Sequence, residues 1–212
     1  MDLATLRSAV RTRLGVPASD PIFTDGALTE LVNSANHYLE TEWDWPWLET
    51  TEDIATVIGT ATYTPGATWM RTIDLRVANG ALLRRVPIDE LDFLSSAGTG
   101  EPRLFCVTGG QLTVFPTPSA VLTLKHRYVR SEPDLVNAGD TPLVPLSFRS
   151  AIVEYASFLA LRRSRDEGRA EVARSGYKEW LEQMVKRTAR YADTAGGGAE
   201  YAPSAKATPA AR

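Results

Sequence analysis

The chain has 212 residues, 43% of them hydrophobic, and a formal net charge of −3. That length can bury one large core or two small ones, and the acidic balance argues against a free-standing nucleic-acid binder, which carries a basic excess. A single cysteine, Cys106, excludes an internal disulfide and fits a reducing compartment, and no apolar run approaches the roughly 20 residues needed to span a bilayer.

The opening stretch, MDLATLRSAVRTRLG, lacks the apolar core of a signal peptide, which predicts a soluble intracellular protein. Its Leu3, Leu6, Val10 and Leu14 fall on one face of a helix. Gly15 and Pro17 stop that helix. A second helix is predicted from an N-cap at Thr24, with Leu28, Leu31, Val32, Ala35, Tyr38 and Leu39 as its apolar stripe. Pro46 ends it, within a run that places Trp43, Trp45 and Trp47 in five residues.

From Ile54 the period changes to β-branched and aromatic alternation. Asn79-Gly80 predicts a two-residue hairpin, and Gly109-Gly110 a second. Residues 88–96 read as a short helix, and AVLTLKHRYV as a further strand. Helical period returns with Ser147 as the expected cap and Gly168 as a break before a last helix. The predicted fold is α+β: a bundle of about four helices, an inserted small antiparallel sheet or sandwich, and a flexible C-terminal arm. The expected divisions are 1–51, an N-terminal helical pair; 52–131, the β insertion; 132–192, the C-terminal helical pair; and 193–212, the arm. The arm is rich in Gly, Ala, Pro and Ser, which cannot bury enough apolar surface to offset ordering entropy.

The search for chemistry yields no catalytic residue, cofactor site or metal site. Neither phosphate-loop pattern is present. His37 and His126 have no ligand at metal spacing. Cys106, between Phe105 and Val107, reads as a buried small hydrophobe. Asp89, Glu90 and Asp92 read as the wet face of a short helix. Residues 162–190 hold nine basic and five acidic side chains, a pattern typical of a solvated, ion-paired surface. The rival reading is a DNA-binding module using Arg162, Arg163, Arg165 and Arg169. The tryptophan run has only acidic neighbours, Glu42, Asp44 and Glu49, which argues against a nucleobase platform. Bulky rings filling the helix-to-sheet junction are the favoured account, with a carbohydrate platform as the alternative.

The order of several pieces resembles the head-to-tail adaptor, or connector, proteins of tailed bacteriophages, the group that includes the tail accessory factors. The pieces are an amphipathic helical pair ending in WPWL, then ATYTP (61–65), then GGQLTVFPTPSAVLTLKHRYVR (109–130). DTPLVPLSFRSAIVEYASFLALRR (140–163) and a closing helix near GYKEWLEQM follow. The resemblance covers about 1–190. It implies a non-enzymatic cyclic homo-oligomer, commonly of about twelve copies, in the neck of the virion, reached through the host cytoplasm during assembly. Its implied partners are the portal, the tail or next connector, and DNA passing through the channel without tight binding; no membrane is involved. The resemblance to adaptors with C-terminal extensions implies an arm that binds the portal, and Tyr201 and Pro203, the bulkiest rigid groups there, are its expected anchors.

Overall fold

The computed structural model describes residues 1–94 and 98–194. The expected arm residues from 195 onward, including Tyr201 and Pro203, lie outside them, as do residues 95–97.

Helix α1, Leu3–Leu14, starts where the Asp2 carboxylate accepts the Thr5 N–H at 2.8 Å and stops at Gly15, whose φ of 72° suits glycine. Helix α2, Asp25–Glu42, is capped by the Thr24 hydroxyl, which accepts the Ala27 N–H. Arg11 fixes the angle between the two helices by donating to the Asp25 carboxylate at 2.6 Å and to the Phe23 carbonyl. After α2 the chain turns, and Pro46 opens a 3-10 turn, Pro46–Leu48.

The chain then builds three small sheets. Strands β1 (Glu49–Ala55), β3 (Trp69–Val77) and β9 (Thr123–Arg130) form an antiparallel sheet with β9 in the centre. Strands β2 (Thr62–Tyr63), β7 (Gln111–Phe115), β6 (Leu104–Thr108) and β4 (Arg84–Arg85) form a second, in that order. Strands β5 (Thr99–Gly100) and β8 (Thr117–Pro118) pair alone. Helix α3, Ile88–Leu94, packs beside β6. Leu75, Leu83, Phe105, Leu112, Val114 and Leu124 make the β core.

Helices α4 (Ser150–Arg163) and α5 (Glu167–Thr194) complete the helical layer. Its core joins Leu3, Leu6, Val32, Leu39, Ile152 and Met184 from all four long helices, and Val129 of β9 reaches into it. The fold is α+β, as expected from the sequence.

Four local expectations are corrected. The Gly109-Gly110 turn does join β6 to β7, with both glycines at positive φ, but Asn79-Gly80 does not close a regular two-residue hairpin. Neither residue takes positive φ; after a brief bridge between Arg76 and Leu82 the chain leaves, and β4 pairs in parallel with β6. The β region is therefore not wholly antiparallel, since β5 and β8 are parallel too. Ser147 caps nothing, because Pro145 leads into a 3-10 turn, Leu146–Phe148, which occupies it, and α4 starts at Ser150. The break before α5 falls at Ser164–Asp166 rather than Gly168: Asp166 takes the capping role, its side chain accepting the Arg169 N–H.

Residues 131–145 return the chain from β9 to the bundle. They supply acceptors to the open first turn of α1, the Asp140 carbonyl to Leu3 N–H at 2.8 Å and the Ala138 carbonyl to Ala4 N–H at 3.0 Å. Arg149 ties the same region down by donating to the carbonyls of Met1, Pro142 and Val144.

Candidate functional site

The tryptophan run sits where helix hands over to sheet. Trp45 is 1% exposed, stacks on Trp47 at 4.7 Å, and donates its indole N–H to the Leu39 carbonyl at 2.7 Å. It thereby fills the junction and satisfies one orphan carbonyl near the end of α2. Trp43 and Trp47 lie half-buried against the same core. No ring of the three is presented as a free platform.

The β module holds a buried polar chain. Thr72 on β3, His126 on β9 and Glu52 on β1 are brought together by strand pairing: Glu52 stands opposite His126, and Thr72 two residues away beside Tyr128. Glu52 Oε1 is 2.8 Å from His126 Nδ1, and His126 Nε2 is 2.9 Å from the Thr72 hydroxyl. The Trp69 indole donates to that hydroxyl at 3.1 Å, and the Gly66 N–H donates to Glu52. An ionised carboxylate only accepts, so Nδ1 donates to Glu52, and Nε2 meets the Thr72 hydroxyl. Hydroxyl, imidazole and carboxylate in series match the order of a hydrolytic triad. Here, however, Thr72 is 4% exposed and His126 is fully buried, so the chain fastens three strands together. A Cβ at Gly66 would lie 2.8 Å from Glu52 Oε2, so a side chain there would push the Glu52 carboxylate aside.

A second polar knot joins α2 to the return segment. Glu40 accepts the N–H of Glu132, and Glu132 accepts the N–H of Leu143. Asn33 exchanges two hydrogen bonds with Leu135. His37 meets Asp134 at 2.7 Å. Burial raises the pKa of Glu132, outweighing the stabilising hydrogen bonds from Asn36 and Leu143. Burial alone would lower the pKa of His37, but the Asp134 hydrogen bond and the Glu40 charge outweigh it and raise it.

Other residues singled out from sequence have plain roles. Cys106 is buried with Val86 and Leu91. Glu90 pairs with Arg84 at 2.6 Å. Among the four arginines of the DNA-binding reading, Arg169 donates to the carbonyls of Arg13 and Leu14 at the end of α1, and Arg162 lies over the Phe158 ring. Both are engaged by the protein itself.

One surface feature was not foreseen from sequence. Between α2, α4 and α5 opens a pocket of about 390 Å³. Tyr38 stacks on Tyr155 with centroids 4.3 Å apart, and Tyr177 lies 4.7 Å from Tyr155. Phe158 and Leu181 extend this floor, and Arg162, Arg174, Lys178 and Glu42 line it too. A hydrogen bond to Glu42 raises the pKa of Tyr38, and burial raises that of Tyr177. All of these tyrosines stay protonated at neutral pH. The three rings come from segments far apart in sequence, and only the 3.6-residue spacing of the stripes hinted at a shared face.

The chain belongs to the SU10 adaptor protein family, whose model matches residues 1–200. It is therefore a bacteriophage structural adaptor, from a family that is structural rather than enzymatic. A comparison with curated proteins gave no match. No helix among the described residues is long and apolar enough to cross a membrane.

Proposed function

We propose that the protein acts in the neck of the virion as a ring beneath the portal, in the manner of the tail accessory factors, extending the DNA channel and offering a docking face to the tail or next connector. The observation that carries this reading is the family match, which spans the helical layer and the β module together. The architecture supports it. The Glu40–Glu132 knot and the Trp45 junction hold the β module to the bundle as one unit. Identical units close into a ring by repeating one heterologous contact, and about twelve copies is the expected number. The net charge of −3 suits a channel wall past which DNA slides. The C-terminal arm, with Tyr201 and Pro203 as anchors, reaches the portal. Assembly takes place in the host cytoplasm.

A mass measurement of the protein alone and mixed with its phage's portal tests the proposal. A closed multimer on the portal is expected. A monomer in both samples would overturn it. At physiological salt the monomer should bind duplex DNA weakly or not at all.

A further inference from the structure

The aromatic recess between α2, α4 and α5 is occupied by nothing described above, and its chemistry is specific. Its floor is made of rings, and around it stand three cations, Arg162, Arg174 and Lys178, with a single carboxylate, Glu42. Glu42 is already engaged by the Tyr38 hydroxyl. Among the described residues Arg174 pairs with Glu171 alone, at 3.6 Å, and that pair is exposed. The Tyr177 side chain is 4% exposed, and its hydroxyl has no hydrogen-bond partner among the described residues. A buried hydroxyl without a partner is costly. A ligand with a flat ring, a carboxylate and a hydrogen-bonding group would satisfy all three features.

Such a ligand is encoded in this chain. Residues 195–212 follow the end of α5 and include Glu200-Tyr201-Ala202-Pro203 after three glycines, Gly196, Gly197 and Gly198. Building on the ring reading above, we propose that the recess seats the Glu200–Tyr201 segment of a second copy's arm. Tyr201 lies on the Tyr155 and Tyr177 rings, its hydroxyl meets that of Tyr177, and Glu200 pairs with Arg174 and Lys178. Pro203 covers the Tyr38 edge, as proline does on aromatic surfaces.

Reach selects the second copy over the chain's own recess. From Leu181 to Thr194 the helix climbs ~20 Å at 1.5 Å per residue, and Arg174 lies ~10 Å further back. Residues 195–201 extend by at most ~24 Å even when fully stretched. A path doubling back on its own helix would be fully stretched at the level of Lys178 and still ~6 Å short of Arg174. A neighbour in a ring imposes no such limit, and each arm seated in the next copy repeats one contact around the axis. Seating and portal capture draw on the same residues, Tyr201 and Pro203, so the portal competes with the recess for the arm.

The test uses two full-length chains without portal. One carries Ser175→Cys, an exposed position beside Arg174 on α5, and an affinity tag. The other carries Ala199→Cys. Native Cys106 is buried and stays out of the reaction. Mixed under mild oxidation, the two should give a disulfide-linked heterodimer by mass, and adding Tyr201→Ala to the second chain should cut its yield several-fold, with Tyr201→Phe, which keeps the ring but not the hydroxyl, giving a yield between the two. Linkage found only within a single chain carrying both cysteines would put the arm on its own bundle and overturn the proposal. Absence of linkage in either format would overturn it as well. Portal capture of the unsubstituted protein is scored separately. Capture without linkage refutes the seat alone, whereas linkage without capture supports the seat and counts against the portal reading.

Discussion

His126 Nδ1 lies 2.8 Å from Glu52 Oε1, inside a sheet where the histidine is fully buried. Strand β9 is thereby fixed to β1, and the other ring nitrogen fixes it to Thr72 on β3. Replacing the imidazole removes both bonds and leaves the Thr72 hydroxyl with the Trp69 indole alone and the Glu52 carboxylate with the Gly66 N–H alone. His126→Leu should cost about 2–4 kcal/mol, the range for leaving buried polar partners unmet. Urea unfolding measures it. A loss below half a kcal/mol, by the same reasoning, would show that the polar chain adds nothing to strand pairing.

The tryptophans divide by burial. Trp45 is 1% exposed and bonded to the Leu39 carbonyl, whereas Trp180 is only partly buried against the core. Trp45→Ala should cost about 3–5 kcal/mol, the usual penalty for a truncated core aromatic. Trp180→Ala should cost less than half as much, because part of its surface is already wet. Equal melting losses in the two variants would contradict this ordering, and an unchanged Trp45 variant would revive a ligand-platform role for the run.

The sequence made the helices legible because burial on one face forces a 3.6-residue stripe: Leu3, Leu6, Val10 and Leu14 are all buried as spaced. Gly15 and Thr24 were legible for local reasons, a left-handed φ and a short side chain that caps. What escaped were contacts set by distant parts of the chain. Asn79-Gly80 has the composition of a tight hairpin, yet tertiary pairing of β4 with β6 draws the second strand away. Glu52, Thr72 and His126 meet only through the register of three strands, which no local spacing reveals. The recess joins Tyr38 to Tyr155 and Tyr177, and helix stripes say that each faces inward but not which rings will stack. Ser147 and Gly168 failed for a smaller reason. Each lay within three residues of a true boundary, where Pro145 and Asp166 decide the geometry.

Glu132 should make stability depend on pH. Burial raises its pKa above the ordinary 4.5, so the folded state holds the proton more tightly than the unfolded chain. Its contribution is then fully present below about pH 4.5 and is lost as pH rises through the elevated value. Glu132→Gln keeps an acceptor for the Leu143 N–H and removes the titration. Relative to the native chain, the variant should gain stability as pH rises above about 4.5 and level off once the elevated pKa is passed, read in urea titrations. A difference that is flat or runs the other way would mean that the carboxylate is stabilised by its neighbours more than burial penalises it.

Arg165 is the one non-glycine residue with positive φ among those described, at 60°, in the three-residue turn between α4 and α5. A side chain in that conformation crowds the backbone, at a cost of about 1–2 kcal/mol. Its own side chain is exposed, and its backbone N–H is held by the Arg162 carbonyl, which a substitution leaves intact. Glycine removes the crowding but gives the unfolded chain more freedom to lose. The net effect of Arg165→Gly should therefore be a gain of about 0.5–1 kcal/mol. Arg165→Val, branched at Cβ, should lose stability at the same site. Thermal melts of the two variants beside the native protein give the answer. A glycine variant that melts below the native chain would show that the arginine side chain contributes more through contacts than its backbone costs.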